Sequence, residues 1–305
     1  MLKYLLKKNK HVKSFALKIY FIVNKLYDGS IPFFFYQLFK IPFKYSSNDK
    51  KNIKFYPEGQ ISKRIFTNSF ENEQLATFQR IIKPGMIVVD AGANIGLYTL
   101  IAANLVGNKG KVFSFEPSKE TFERLNNNLR LNNFCNVTAV NIGLGENPNE
   151  KLILRQDVGY GDAERYLYSM NETHSIKLEN VNELFIQEEI VIDTLDNYLN
   201  KLIVKKIDFL KIDTEGFEYY ILKGSEQVLK NSPEVVLLME CTALGTARAH
   251  TSQKKVFDFL KELDFKLFYW NKKKMSWCND EVGILYAGDI WACKHSDHLK
   301  FFSIN

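Results

Sequence analysis

The chain has 305 residues, 46% of them hydrophobic, enough for one large α/β domain with an extension or for two small domains. Its net charge of +6 sits largely in the first fifty residues, which argues against a nucleic-acid-binding surface spread over the protein. The four cysteines (Cys135, Cys241, Cys278, Cys293) show no CxxC pair and no zinc-type spacing, so buried thiols in a reducing compartment are expected.

Residues 1–52 read as a basic, aromatic extension. "KHVKSFALKIYFIVNKLY" draws a helix with Phe15, Ile19, Ile22, Val23 and Leu26 on one side and lysines toward the rim. Two readings stand: an interfacial contact with an anionic membrane, or a helical cap on the main domain. No transmembrane span is expected, because Lys18, Lys25 and Asp28 interrupt the apolar residues and Gly29–Phe39 is too short. Lys18 also breaks a would-be signal sequence and no small-residue cleavage site follows, so a cytoplasmic location is expected.

Residues 53–305 read as the main domain. "FENEQLATFQRIIKPG" predicts a helix stopped by Pro84-Gly85. Strands at Ile87–Asp90, Lys111–Glu116 and Asn136–Asn141 then alternate with helices, the first over Gly96–Val106 and the second capped by Ser118. Residues 146–192 break this rhythm. Their runs "KLILR" and "LFIQEEIVI" predict antiparallel strands inserted on the main sheet. The rhythm returns with the helix "TLDNYLN", the strand "KIDFLKID", a helix broken near Gly224, the strand "PEVVLLMEC" and a last helix over Gln253–Leu263. Two C-terminal strands are expected near Lys266–Trp270 and Ile290–His295. This order predicts an α/β fold: a doubly wound, mostly parallel sheet that binds its ligand at the carboxyl ends of its strands.

At that edge stands "VVDAGANIGLYTL". The dinucleotide fingerprint G-x-G-x-x-G is not present, since Asp90 occupies the first glycine position, where a carboxylate repels pyrophosphate. A P-loop lysine is also absent. An acid followed by Gly92 and Gly96 suits a cationic ligand, and S-adenosylmethionine carries an ammonium and a sulfonium with no phosphate. Backbone N–H groups around Ala93–Ile95 are free to meet its polar atoms. Glu116 ends the next strand about twenty residues after the loop, where an acid accepts from ribose hydroxyls. Pro117 then turns the chain into the following helix.

The stretches "VVDAGANIGLYTL", "VFSFEPSKETFERLNNNLRLN" and "IDFLKIDTEGFEYYILKG" together resemble the class I S-adenosylmethionine-dependent methyltransferases of the FkbM type, from about Phe70 through Glu240. The resemblance implies a Rossmann-like seven-stranded sheet and methyl transfer, usually to a hydroxyl oxygen of a sugar or secondary metabolite. By position it implies a cofactor loop of Asp90, Gly92, Asn94 and Gly96, Glu116 at the ribose, and Asn141 with Ile142 at the adenine. The chain departs from the family at Gly143, where an alanine often stands.

Methyl transfer from a sulfonium is an in-line displacement, so the protein must align an oxygen and remove a proton. The candidate groups lie in "KIDTEGFE". Strand alternation puts Lys211 and Asp213 on one side, so that the lysine holds Asp213 charged near the methyl donor, with Glu215 as second candidate. Glu240 ends the next apolar strand and with Asp213 forms a candidate Mg²⁺ or Mn²⁺ pair that would acidify a sugar diol. His250 is a third candidate base, and Arg248 a two-donor grip for an acidic acceptor. The expected acceptor is a sugar, glycan or glycolipid, with no nucleic acid, since no Pro-Pro-aromatic segment follows Asp213. The competing readings are a nicotinamide-dependent oxidoreductase, against which Asp90 argues, and a non-catalytic membrane-associated scaffold using residues 1–50.

Overall fold

The structure of the protein is a computed structural model, described over residues 33–46, 52–157, 165–169 and 185–302. The expected N-terminal helix over residues 10–27 lies outside the described residues. By contacts the chain divides into two units, Met1–Phe70 and Glu71–Asn305. In the first unit, helix α1 (Phe33–Phe39) leads into an antiparallel hairpin of β1 (Phe43–Ser46) and β2 (Asn52–Phe55), and then α2 (Gly59–Phe66). Its aromatic residues pack on one another. Phe66 meets Phe33, Tyr36 and Phe43 at ring-centroid distances of 5.5, 5.1 and 5.4 Å, and Phe43 stacks on Phe55.

The second unit opens with α3 (Asn72–Ile81), whose apolar face buries Leu75, Phe78 and Ile81. There follow β3 (Ile87–Ala91), α4 (Leu97–Val106), β4 (Lys111–Phe115), α5 (Lys119–Asn132) and β5 (Val137–Val140). Next come β6 (Gly143–Leu144), β7 (Glu150–Asp157), β8 (Arg165–Ser169) and β9 (Phe185–Asp193). The alternation resumes with α6 (Leu195–Lys201), β10 (Phe209–Ile212), α7 (Glu218–Lys223), α8 (Glu226–Asn231) and β11 (Val236–Glu240). The chain ends in α9 (Ala243–Arg248), α10 (Gln253–Glu262), β12 (Lys266–Asn271), β13 (Ser276–Cys278), α11 (Glu281–Tyr286), β14 (Asp289–Cys293) and α12 (Ser296–Leu299).

The main sheet runs β13-β12-β14-β11-β10-β3-β4-β5. From β11 to β5 its strands are parallel, while β14, β12 and β13 add antiparallel pairs at one edge. The expected α/β architecture is present, with eight strands in place of seven. The extra strand, β13, is a three-residue partner of β12 across the basic Lys272–Lys274 turn, too short for an alternation signal. The expected insertion of strands on the main sheet is corrected: β6, β9, β7 and β8 form a separate four-stranded sheet. Its apolar positions Leu152, Leu154, Ile190 and Ile192 make a core of their own. Gln253–Glu262 is not the last helix, because α11 and α12 follow, and α9 occupies the stretch after Glu240 that reads as a loop. No helix among the described residues is long and apolar enough to cross a membrane.

The strand order places the site. From β3 the chain winds outward through β4 to β5, then returns to β10 on the other side of β3. The winding direction therefore switches between β3 and β10, and ligands in such sheets bind at the carboxyl ends flanking that switch. Register sets Lys211 opposite Asp90 and Ile212 opposite Ala91, so Gly92 and Asp213 emerge side by side. Gly92 has φ 77°, and a Cβ built on it would lie 1.9 Å from the Asp213 carbonyl oxygen. The glycine is thus required by the protein's own backbone. Gly92→Ala combines a left-handed penalty of about 1–2 kcal/mol with this collision. Its chemical-denaturation curve is expected to show a loss above about 2 kcal/mol, and wild-type stability would contradict the packing of Asp213 on the loop.

Candidate active site

Acidic residues end four neighbouring strands of the switch-point edge and begin a fifth. Glu116 follows β4, Asp90 lies near the end of β3, Asp213 follows β10, and Glu240 ends β11. Asp289 begins the antiparallel β14 and is paired in register with Glu240. Chain reversal at β14 therefore brings a strand start to the same edge as four strand ends.

The backbone N–H groups around Ala93–Ile95, expected to be free for a ligand, are instead taken within the protein. The Gly92 and Ala93 amides both donate to the Phe115 carbonyl at 3.0 Å, and the Ile95 amide donates to Asn94 Oδ1 at 2.8 Å. Asn94 adopts φ 49°, a left-handed conformation that asparagine tolerates better than most residues. Gly96 caps α4 at φ 93°, with the Leu125 side chain where a Cβ would stand. Glu116 is 6% exposed. Its Oε2 accepts from the Asn94 amide and its Oε1 from the Ser118 amide, both at 3.0 Å. Ser118 occupies the expected cap position of α5, but its hydroxyl makes no cap bond and Glu116 takes its amide instead. Asn141 Nδ2 donates to the Glu116 and Pro117 carbonyls at 2.9 and 2.8 Å, which ties β5 to this turn. Ile142 packs against the main core. An alanine at Gly143 would bring its Cβ within 2.5 Å of Ile192 Cδ1, a physical reason for the departure at that position.

Asp90 is 1% exposed and points inward. Its Oδ2 accepts from Thr99 Oγ1 at 2.6 Å, and Thr99 is in turn 2.8 Å from Ser114 Oγ. Oδ1 is buried with no hydrogen-bond partner among the described residues. Burial raises the carboxyl above its ordinary range, against the opposing pull of Lys211. The negative group expected at the mouth of the loop is therefore a buried one.

Charge at the edge centres on Lys211, 5% exposed, whose Nζ donates to Asp213 Oδ2 at 2.9 Å. The pairing expected from strand alternation is observed. Burial opposes the ammonium charge, but Asp213, Asp90 and Glu71 outweigh it and hold Lys211 above the ordinary lysine range. Lys211 also lies 4.8 Å over the Tyr98 ring. The Tyr98 hydroxyl donates to Glu71 Oε2 at 2.6 Å, and Gln74 donates to Asp289. Burial pushes Glu71 up to about 7, with Lys211 lowering it and Asp213 raising it. Burial, with Asp213 beside it, pushes Asp289 up to about 6.

Glu240 is pushed up to about 9 by burial first and then by Asp213, Glu215 and Asp289. Asp213, Glu215 and Glu240 each offer a carboxylate oxygen, and these oxygens lie within 4.8 Å of one another. The structure thus brings the expected Asp213–Glu240 pair together and adds Glu215. His250 is exposed at φ 54° where α9 ends. Its amide donates to the Ala247 carbonyl and Thr251 closes back to Thr246, a helix-ending geometry. Arg248 lies in the last turn of the same helix. Trp277 is buried in an aromatic cluster with Trp291 and Phe302. His174 lies outside the described residues.

Glu71, Tyr98, Gln74 and Asp289 carry no sequence signal for the site. Glu71 precedes α3, and Asp289 reaches the edge only because β14 runs backwards. The Thr242 cap, whose Oγ1 accepts from the Gly245 amide at 3.0 Å, is the signal that marks α9.

The Methyltransferase FkbM domain model matches residues 90–267. The chain is 28% identical over 166 residues to Methyltransferase 1 of Beauveria bassiana, covering 52% of this chain and 66% of that protein. It is 27% identical over 153 residues to the hexuronic acid methyltransferase AglP of Haloferax volcanii, covering 50% of this chain and 54% of that one. The match thus spans between about half and two thirds of these curated relatives. Among solved structures, the methyltransferase FkbM of Methylobacillus flagellatus aligns at 15% identity with a TM-score of 0.40, covering 76% of this chain and 54% of that one. The domain match takes in the glycine loop, the acid turn after β10, Glu240 and the inserted sheet, well over half of the sequence, and on it the chain belongs to the FkbM methyltransferase domain family.

Proposed function

We propose that the protein transfers a methyl group from S-adenosylmethionine to a hydroxyl oxygen of a sugar, a glycan or a glycosylated small molecule. The observation that carries this reading is the contact between Gly92 and the Asp213 carbonyl at the switch point. It sets an ion-paired carboxylate directly beside the loop assigned to the cofactor. Family membership supports methyl transfer, and the name of the Haloferax relative supports a sugar as acceptor.

In this reading the loop from Asp90 to Gly96 holds the amino-acid end of the cofactor, with the Ala93 and Asn94 backbone facing it. Glu116 takes the ribose hydroxyls and exchanges its Asn94 contact for them, while Pro117, Asn141 and Ile142 border the adenine. Asp213 would accept a hydrogen bond from the acceptor hydroxyl, orient its oxygen toward the methyl group and, with water as the alternative, take up the hydroxyl proton. S-adenosylmethionine, when bound, would supply an activated methyl group whose carbon–sulfur bond breaks as the oxygen–carbon bond forms, with a neutral thioether as the leaving group. Glu215 is a second acceptor for the substrate hydroxyls.

A divalent-cation reading rests on the same carboxylates. Asp213, Glu215 and Glu240 form a hard-oxygen set of the kind that holds Mg²⁺ or Mn²⁺. Such an ion, when bound, supplies Lewis acidity that makes a sugar diol easier to deprotonate.

Calorimetric titration is expected to show binding of S-adenosylmethionine and none of NAD, with Glu116→Gln weakening the former at least about tenfold. Binding of NAD alone would end this assignment. Asp213→Asn is expected to keep cofactor affinity while kcat falls about 10²- to 10⁴-fold against methyl-labelled cofactor and a panel of hexoses, uronates and nucleotide sugars. Undiminished turnover would clear Asp213 of a part in the chemistry. For the cation, chelation followed by Mn²⁺ is expected to abolish and then restore transfer, and activity indifferent to both treatments would remove the metal from the mechanism.

A further inference from the structure

Glu218 is 1% exposed and lies outside the three-carboxylate group. Its Oε1 accepts three hydrogen bonds: from the Thr214 amide at 3.2 Å, the Thr214 hydroxyl at 3.0 Å and the Gly216 amide at 3.1 Å. Its Oε2 is buried with no hydrogen-bond partner among the described residues. Thr214 and Gly216 are the two neighbours of Glu215, and Thr214 also follows Asp213. Glu215 adopts φ 56°, a left-handed conformation that costs a residue with a side chain about 1–2 kcal/mol. Gly216 stands at φ 118° with the Gly245 carbonyl oxygen 2.0 Å from where a Cβ would lie.

One carboxylate oxygen therefore grips the turn on both sides of Glu215. The two gripped amides belong to the peptide that leaves Asp213 and to the peptide that leaves Glu215, so Thr214 and Glu215 are held between two anchored peptide units, which restricts their backbone angles and the direction of the Glu215 Cα–Cβ bond. A turn serving only to join β10 to α7 has no need to hold a glutamate left-handed between two anchored neighbours.

Resting on the methyltransferase reading above, we infer that Glu218 is a positioning residue of the active site: by binding Thr214 and Gly216 it holds Asp213 and Glu215 in the geometry that orients the acceptor. It touches neither substrate nor cofactor. Misplacing a reacting group by about 1 Å costs on the order of 10²-fold, so turnover is where its loss is felt.

The test compares Glu218→Asp, which falls one methylene short of the turn, with Glu218→Gln, which keeps an oxygen at the same reach. Both are measured with methyl-labelled S-adenosylmethionine and the sugar of the panel that takes up most label. E218D is expected to lower kcat on the order of 10²-fold with the S-adenosylmethionine dissociation constant within about threefold of wild type, and E218Q to recover at least about a tenth of wild-type kcat. Hydrogen exchange of the Thr214 and Gly216 amides is expected to rise in E218D and to stay near wild type in E218Q, a readout independent of turnover. If E218D matches an active wild type in kcat, or if both variants fall equally while the two amides stay protected, the inference is overturned and the functional reading stands. A wild-type chain that binds the cofactor but labels no acceptor overturns the functional reading itself.

Discussion

A buried ammonium needs negative partners, and Lys211 on β10 has them on several sides. Removing an ion from water costs several kcal/mol even after relaxation, and only close opposite charge offsets that. Asp213 bonds to it at 2.9 Å, Asp90 faces it in register across β3, and Glu71 reaches toward it past the Tyr98 ring. The need is mutual, because these acids crowd one sheet edge with Asp289 and Glu240. Glu240, raised by burial and then by Asp213, Glu215 and Asp289, is pushed up to about 9, whereas Glu71 and Asp289, which Lys211 draws down against burial, reach about 7 and 6.

That crowding depends on parallel strand register. Because β3 and β10 are paired with Lys211 opposite Asp90, the next residues out, Gly92 and Asp213, meet backbone to backbone. The loop beside them is tied down by the Phe115 carbonyl, by Glu116 and by Asn94 before anything binds. Groups held in place in advance lose little freedom when a ligand arrives, which is what orientation-dependent chemistry requires.

Much of this was legible from the residues. Apolar runs ending in acids at Asp90, Glu116, Asp213 and Glu240 located the edge, and strand alternation paired Lys211 with Asp213. What stayed hidden depends on chain direction and long-range packing. Asp289 looks like any acid before a strand until β14 is known to run antiparallel. Glu71 lies far from Lys211 in sequence, and no local pattern announces the Tyr98 bridge. Gly92 was legible as a glycine that must be there, but its neighbour is a carbonyl of the protein itself. The same holds for β13 and for α9 and α11, short elements fixed by packing and caps rather than by periodicity. Asp90, an inward carboxylate bonded to Thr99, acts on the loop through α4 and the sheet.

The inserted sheet reaches the same turn by a different route. Its core residues Ile190 and Ile192 pack with Phe217, which directly follows Gly216 in the turn that Glu218 holds. Gly145 lies against both Ile192 and Phe217, so close that an added Cβ would sit 2.8 Å from one and 3.1 Å from the other. On its far side β9 contributes Glu188, which accepts from the Lys119 amide at 2.9 Å at the start of α5, next to the turn carrying Glu116. The insert therefore touches the main domain near both turns, at Phe217, two residues from Glu215, and at Lys119, three residues from Glu116. A displacement of β9 would strain the Glu116 turn and the Asp213–Glu215 turn together. In a close-packed interior with few voids, that linkage leaves the two turns no independent way to relax.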